Sequence, residues 1–394
     1  MKACGIVAEY NPFHNGHAYQ IERVREELNP DVVIAVMSGN FLQRGEPALV
    51  DKWTRTQMAL AGGVDLVIEL PVLFSTQAAD FFGQGAIQIL GDLGIDHLSF
   101  GVEAGTAEEF MTAARWMVEN EDLIASEMTK NTAPDLPYAK QMEMVLHHLA
   151  PNFPLHLNSP NNQLGFAYAK EIVRQGYDKK ISLFPIARKD AGYHETAFDA
   201  DKKIASATAI RKALFEEREV SSYIPEKAYP YLEAESKNIV SWEDYFPLLK
   251  YQLTLQSKDS LRDIYEMNEG LENRLKTYIA ESNSFTELME LVKTKRYTWT
   301  RLQRLFTYVL LGLTKEDVHK ALEEKPAIRV LGFTEAGRAY LSEQKHSLDG
   351  ELISNVNQKT KEAIPFEVLA GEIYALGHSF IKKQDFTRKP VKFD

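Results

Sequence analysis

Short apolar runs recur along the first half of the chain, and stretches with helical spacing lie between them. Ala3–Ala8, Val32–Ser38, Leu66–Leu70, His97–Gly101 and Leu183–Ala187 are nearly unbroken by polar residues. Continuous runs of this length suit strands buried on both faces. Between them, Ile21, Val24 and Leu28 repeat at helical spacing, and Asn29-Pro30 stops that helix. Asp51–Ala61 reads as a helix closed by Gly62-Gly63. Ser159 then Pro160 supplies an N-cap and a first helical residue for a helix reaching toward Arg174. Strand and helix in alternation predict an α/β fold with a doubly wound parallel sheet.

After the fifth run the pattern changes. A polar stretch, Glu216–Pro225, marks an expected boundary between a unit 1–225 and a unit 226–394. The second unit is mostly helical in pattern: Trp242–Gln256, Leu271–Ala280, Phe285–Val292 and Trp299–Leu311. A short strand at Ile328–Leu331 then opens a small mixed segment.

Composition narrows the class. Hydrophobic content of 44% with 26% charged residues is that of a globular protein with a real core. Cys4 is the one cysteine, which rules out an internal disulfide and a multi-cysteine zinc site, and no His/Asp/Glu cluster has metal-site spacing. The first residues carry no cleavage-site pattern, and no run reaches the ~18 apolar residues of a membrane span, so a cytoplasmic protein without membrane contact is expected. The net charge of -11 argues against a nonspecific nucleic-acid coat. It leaves room for a local basic patch. Between Glu290 and Glu316 no acidic residue occurs, while Lys293, Lys295, Arg296, Arg301, Arg304 and Lys315 do, with Tyr297 and Trp299 among them. Trp299, Leu302, Phe306 and Val309 mark the expected buried face, with Arg301 and Arg304 exposed together. Cations interleaved with rings fit an RNA surface as well as an ordinary solvated face. Lys382, Lys383, Arg388, Lys389 and Lys392 form a weaker supplementary patch at an end expected to fray.

Ligands of such sheets bind beyond the carboxyl ends of the strands. The first strand is followed by Asn11-Pro12-Phe13-His14-Asn15-Gly16-His17, the second runs into Ser38-Gly39-Asn40, Gly101 ends the fourth and Arg188 follows the fifth. His14 and His17 open a helix three residues apart, on one face, where unpaired N–H groups favour phosphate. Gly16 between them permits close approach of a ligand to the backbone. Ile204-Ala205-Ser206-Ala207-Thr208-Ala209-Ile210-Arg211 opens another helix, with Ser206 and Thr208 as capping hydroxyls and Arg211 as a phosphate cation. Asp51, Lys52 and Arg55 share a helix face, either lining the crevice or, by preference, pairing with one another as surface charges.

These two motifs resemble the HxGH and ISSTxxR elements of the nucleotidyltransferase superfamily, with Ala207 where a serine is usual. Gly5-Ile6-Val7-Ala8-Glu9-Tyr10-Asn11-Pro12-Phe13-His14-Asn15-Gly16-His17, Met37-Ser38-Gly39-Asn40-Phe41-Leu42-Gln43-Arg44-Gly45 and Lys295-Arg296-Tyr297-Thr298 further resemble the tRNA(Met) cytidine acetate ligase family along essentially the whole chain. The resemblance implies a Rossmann-like nucleotidyltransferase domain. It also implies a ligase that uses ATP, accompanied by Mg2+, and acetate to acetylate the wobble cytidine of elongator tRNA(Met) through an acetyl-adenylate. It would make His14, His17 and Arg211 the catalytic groups. The ATP contacts would be Val7, Ala8, Glu9, Tyr10, Asn11, Pro12, Phe13, His14, Asn15, Gly16, His17, Ala18 and Tyr19, with Gly101, Asn162, Arg188, Ser206 and Thr208. Ser38 and Asn40 would line an acetate or cytidine pocket, and Lys293, Lys295, Arg296, Arg301 and Arg304 would meet tRNA. Two alternatives share parts of this pattern: a small-molecule adenylyltransferase, and a non-enzymatic nucleotide-dependent RNA-binding factor.

Overall fold

The computed structural model describes residues 1–130, 138–155, 157, 159–188, 204–268, 270–378 and 384–394. Five parallel strands form its centre: β1 (Ala3–Ala8), β2 (Val32–Ser38), β3 (Leu66–Leu70), β4 (His97–Val102) and β5 (Ser182–Ala187). Successive residues of β2 alternate between two cores. Ile34 and Val36 join one, with the helices Ala79–Asp92 and Pro160–Arg174. Val33, Ala35 and Met37 join the other, with α1 (Asn15–Leu28), α2 (Lys52–Ala61) and the helix Ala207–Phe215. A strand covered on both faces has no solvent side, which explains its unbroken apolar sequence.

The strand order is β5-β4-β1-β2-β3-β6-β7. The order reverses between β1 and β4, which makes the carboxyl ends of these two strands the switch point where ligands of such sheets bind. The expected short strand extends to β6 (Ile328–Phe333) and lies antiparallel on β3, while β7 (Leu352–Ile353) and β8 (Val391–Lys392) pair with β6. The boundary near Pro225 therefore does not divide the sheet: its last three strands all come after it. The intervening helices, among them Trp242–Leu255, Leu271–Glu281, Phe285–Val292 and Trp299–Leu311, enclose a core of their own that reaches Phe41, Val72 and Leu73 of the first half. Among the described residues, no helix is long and apolar enough to cross a membrane.

Asp51, Lys52 and Arg55 are buried rather than being surface charges. Lys52 Nζ lies 2.8 Å from Glu69 of β3 and 2.7 Å from Asp385. Burial opposes the lysine's charge, but Asp385 and Glu69 outweigh it and raise its pKa above the ordinary value. Arg329 stands opposite Glu69 in the β3–β6 register, over the Trp53 ring. Lys52→Met would leave two carboxylates buried without their cation, and the expected loss in urea unfolding is ~3–5 kcal/mol. A loss below about 1 kcal/mol would show that the pair is not a structural element.

Candidate active site

β1 ends in a tight passage. Tyr10 adopts a left-handed φ of 49°, and the Asn11–Pro12 peptide is cis. Phe13 is buried against Gly62, where a Cβ would lie 2.2 Å from the Phe13 ring. The chain then enters α1 with His14 as its N-cap.

The histidines cap this helix themselves. His14 Nδ1 accepts from Gly16 N at 3.0 Å, and His17 Nδ1 accepts from His14 N at 3.2 Å. A nitrogen that accepts carries no proton, so each neutral ring holds its proton on Nε2. The rings stack at a centroid distance of 3.7 Å, and His17 is backed by Tyr10 at 4.9 Å. Each Nε2–H lies on the far edge of its ring from the cap, as a donor available to phosphate oxygen. Gly16 has a second reason to be glycine: a Cβ there would lie 2.8 Å from His14 Cε1, so the capping ring itself needs the space.

Burial pushes His14 from 6.5 down to about 3, with Arg188 and Arg211 acting in the same direction. Burial, His14 and Arg188 hold His17 well below its ordinary value. Arg188 is exposed, beside Gly101: its side-chain stem alone comes within 4 Å of a Cβ built there. Asn162 is buried, accepts from Glu103 N and donates to Ala104 O, so it holds the loop after β4.

The second motif sits over the first. Ile204 lies 3.7 Å from the Cβ position of Gly16, and Arg211 Nη1 donates to Asn11 O at 2.9 Å. Arg211 also pairs with Glu46 at 3.3 Å. Ser206 caps its helix by accepting from Ala209 N. Thr208 does not cap; it is exposed in the first turn, 3.5 Å from Arg211. Val7, Ala8, Glu9, Ala18 and Tyr19 flank the loop partly exposed, and the Asn15 amide donates to Ser222 O.

The second strand exit joins the same site. Arg55 is 0% exposed and donates to the carbonyls of Glu9, Ser38, Gly39 and Val50. Asn40 Oδ1 accepts from Lys52 N, which gives it a structural bond. Ser38 Oγ is buried with no hydrogen-bond partner among the described residues, as are Asn11 Nδ2 and Tyr10 OH. Arg55 and Lys52 were not read as site supports from sequence. Their signal was there: charged residues within a helix that also carries the apolar Trp53, Met58, Ala59 and Leu60.

The basic strip divides. Lys293, Lys295 and Arg296 are exposed, and Arg301 lies over the Tyr297 ring at 5.3 Å. Arg304 is not exposed beside it: its side chain is 13% exposed and faces Glu266 at 3.8 Å. Trp299 is not on the buried face but 37% exposed. The same helix grips the loop after Asn40. Gly45 O accepts from Trp242 and Thr307, both at 2.9 Å, and a Cβ on Gly45 would lie 2.2 Å from Arg304 N.

His14 takes up a proton near pH 6.5 in the unfolded chain and only near 3 in the fold. The unfolded state therefore binds more protons between those values. The contribution of the pair to stability is complete above about 6.5 and lost as pH falls toward the folded pKa. The thermal midpoint of the unliganded protein should drop between pH 7 and 5. His14→Asn, which keeps a capping acceptor, should flatten that drop and change stability at pH 7.5 by less than about 1 kcal/mol. An unchanged pH slope would place the acid sensitivity elsewhere.

Residues 1–389 match the family model described as HIGH Nucleotidyl Transferase. The chain is 42% identical to the tRNA(Met) cytidine acetate ligase of Bacillus licheniformis and 40% identical to that of Bacillus subtilis strain 168, in each case over 100% of this chain and 98% of the relative. The crystal structure of apo Thermotoga maritima TmcAL superimposes with a TM-score of 0.90 at 32% identity, covering 100% of this chain and 99% of that one. The form of that protein bound with alpha-thio ATP gives a TM-score of 0.88. The match covers both halves of the chain, and the chain belongs to the tRNA(Met) cytidine acetate ligase family, ligases built on the HIGH nucleotidyltransferase core.

Proposed function

We propose that this protein is an ATP-dependent tRNA-modifying ligase that converts acetate to acetyl-adenylate and transfers the acetyl group to the wobble cytidine of elongator tRNA(Met). The observation that carries the chemistry is the double role of His14 and His17. Their Nδ1 atoms cap α1 and leave two Nε2–H donors at the switch point, beside Arg188 and Arg211. The family carries the identity of acetate and tRNA.

An acetate oxygen attacks the α-phosphorus of ATP and the bond to the β,γ-pyrophosphate breaks. Negative charge grows on the leaving pyrophosphate, where the imidazole N–H groups and Arg211 donate. The loop from Val7 to Tyr19 cradles the nucleotide, Gly101 leaves space beside β4, and Mg2+ arrives with ATP. The cytidine N4 amine then attacks the acetyl carbon, AMP leaves, and the amine loses a proton to solvent. Such chemistry depends on positioning and charge rather than on a strong acid or base. The low pKa of both histidines fits this: they act as neutral donors. Among the second-strand residues, Ser38, with its unpartnered hydroxyl, is the better contact for acetate or cytidine than Asn40, whose Oδ1 is already bonded. Lys293, Lys295 and Arg296 present the exposed charge that tRNA requires, with the half-buried Arg301 beside them over the Tyr297 ring. A reaction that consumes ATP and modifies tRNA belongs in the cytoplasm, which is the compartment this reading implies.

The test is exchange of labelled pyrophosphate into ATP, with and without acetate, in the absence of RNA. Acetate-dependent exchange is expected, and His14→Asn should lower it by about 10²–10³-fold. Exchange driven by a mononucleotide and indifferent to acetate would replace this reading with a small-molecule adenylyltransferase.

A further inference from the structure

The C-terminal residues occupy a place that the ATP motifs do not explain. The end of the chain was expected to fray, yet it is fixed at two points. Asp385 is buried against Lys52 at 2.7 Å, and Gln384 donates to Asp51 Oδ2 at 2.5 Å. Six residues later, β8 pairs with Gly332 and Phe333 of β6. Lys382 and Lys383 lie outside the described residues.

Between these anchors the chain turns outward. Thr387 N and Arg388 N both donate to Gln384 O, which closes a tight turn. Phe386, Thr387, Arg388 and Lys389 are exposed on it, Phe386 by 43%. Lys361 Nζ stands 5.9 Å from the centre of the Phe386 ring. The exposed ring thus has one cation beside it and two more exposed cations, Arg388 and Lys389, on the same turn, on a protein of net charge -11.

The turn is close to the strand exits. A Cβ built on Gly371 would lie 2.1 Å from Asp385 Oδ2 and 3.9 Å from Asn40 Nδ2. Asn40 follows Gly39, whose carbonyl Arg55 holds together with that of Glu9. Asp385 is thus a near neighbour of the loop that flanks the catalytic motif. Burying an ion pair stabilises little by itself, and its best-attested use is to fix a geometry. Here it fixes an exposed aromatic, cationic turn at a set distance from the crevice.

We propose that the turn 384–389 is a docking element for single-stranded RNA. Phe386 stacks on an unpaired base, and Lys361, Arg388 and Lys389 bind the flanking phosphates. The Lys52–Asp385 clip sets the distance from that base to the reacting one. This assignment rests on the acetate-ligase reading. The ligand follows from the chemistry: a ring needs a free base face, which a loop offers and a duplex hides, and the cations need a phosphate on either side.

The experiment uses the full chain and an unmodified tRNA(Met) transcript, with binding measured across a KCl series. Arg388→Glu with Lys389→Glu should weaken binding and reduce the slope of log K against log salt by about 1.4, for two phosphate contacts at ~0.7 each. Phe386→Ala should weaken binding about 5- to 150-fold, the equivalent of ~1–3 kcal/mol for a stacked base, without altering the slope. Acetate-dependent pyrophosphate exchange without RNA should remain at the wild-type level in all variants. Wild-type affinity and slope in both variants would overturn the docking role while leaving the ligase reading intact. Loss of exchange would overturn it by showing that the turn supports the fold. A hairpin with its loop closed into duplex that competes equally well would overturn the stacking. Failure of the wild-type protein to exchange or to bind RNA would remove the ligase reading itself, and this assignment with it.

Discussion

The Arg55 guanidinium joins the two strand exits from which the site is built. Carbonyls at the ends of parallel strands have no further strand to bond, and buried ones need a donor. Arg55 supplies the planar fork of donors that can meet Glu9, Ser38, Gly39 and Val50 at once. Lys52, one turn earlier, anchors the same helix to β3 and to the C-terminal segment. The loops that carry His14 and Ser38 are therefore held by charge deep in the protein. Transfer chemistry of this kind is sensitive to displacements of about 1 Å, which gives such rigid support a direct functional meaning.

The paired histidines show how one local interaction serves the fold and, in the proposed mechanism, the chemistry as well. A helix start normally takes its cap from a serine, threonine or acid. An acid here would repel a nucleotide's phosphates. Imidazole caps with Nδ1 and keeps Nε2–H as a donor. Burial and the nearby arginines keep the rings neutral, so the tautomer set by the cap is maintained. Positive charge at the site is left to Arg188 and Arg211, and orientation to the histidines.

The second half of the chain is joined to the site rather than hung from it. Its helix Trp299–Leu311 receives Gly45, five residues beyond Asn40, and its last strands extend the sheet through β6. A surface for a large substrate built on these elements shares a frame with the small-molecule crevice.

Much of this was legible from local pattern. The five parallel strands announced themselves because burial on both faces forces continuous apolar sequence. The helices Phe285–Val292 and Trp299–Leu311 matched their predicted ends, since caps and periodicity are local signals. The histidine pair and the second motif were readable because strand, loop and helix start follow one another directly. What sequence could not supply was the partner of each charge. Lys52 and Arg55 looked like surface residues because Asp385 lies 333 positions from Lys52 and the carbonyls around Arg55 belong to other segments. Arg304 looked exposed because Glu266 falls outside its local interval, and Trp299 looked buried because periodicity does not say where a packed face begins. β6 joined the sheet because β3 offered it an edge. The sequence by itself determined the elements and the residue types that stand at their ends. The tertiary structure decided which charges are buried and which are free to meet a ligand, because burial is set by contacts between segments that sequence spacing does not encode.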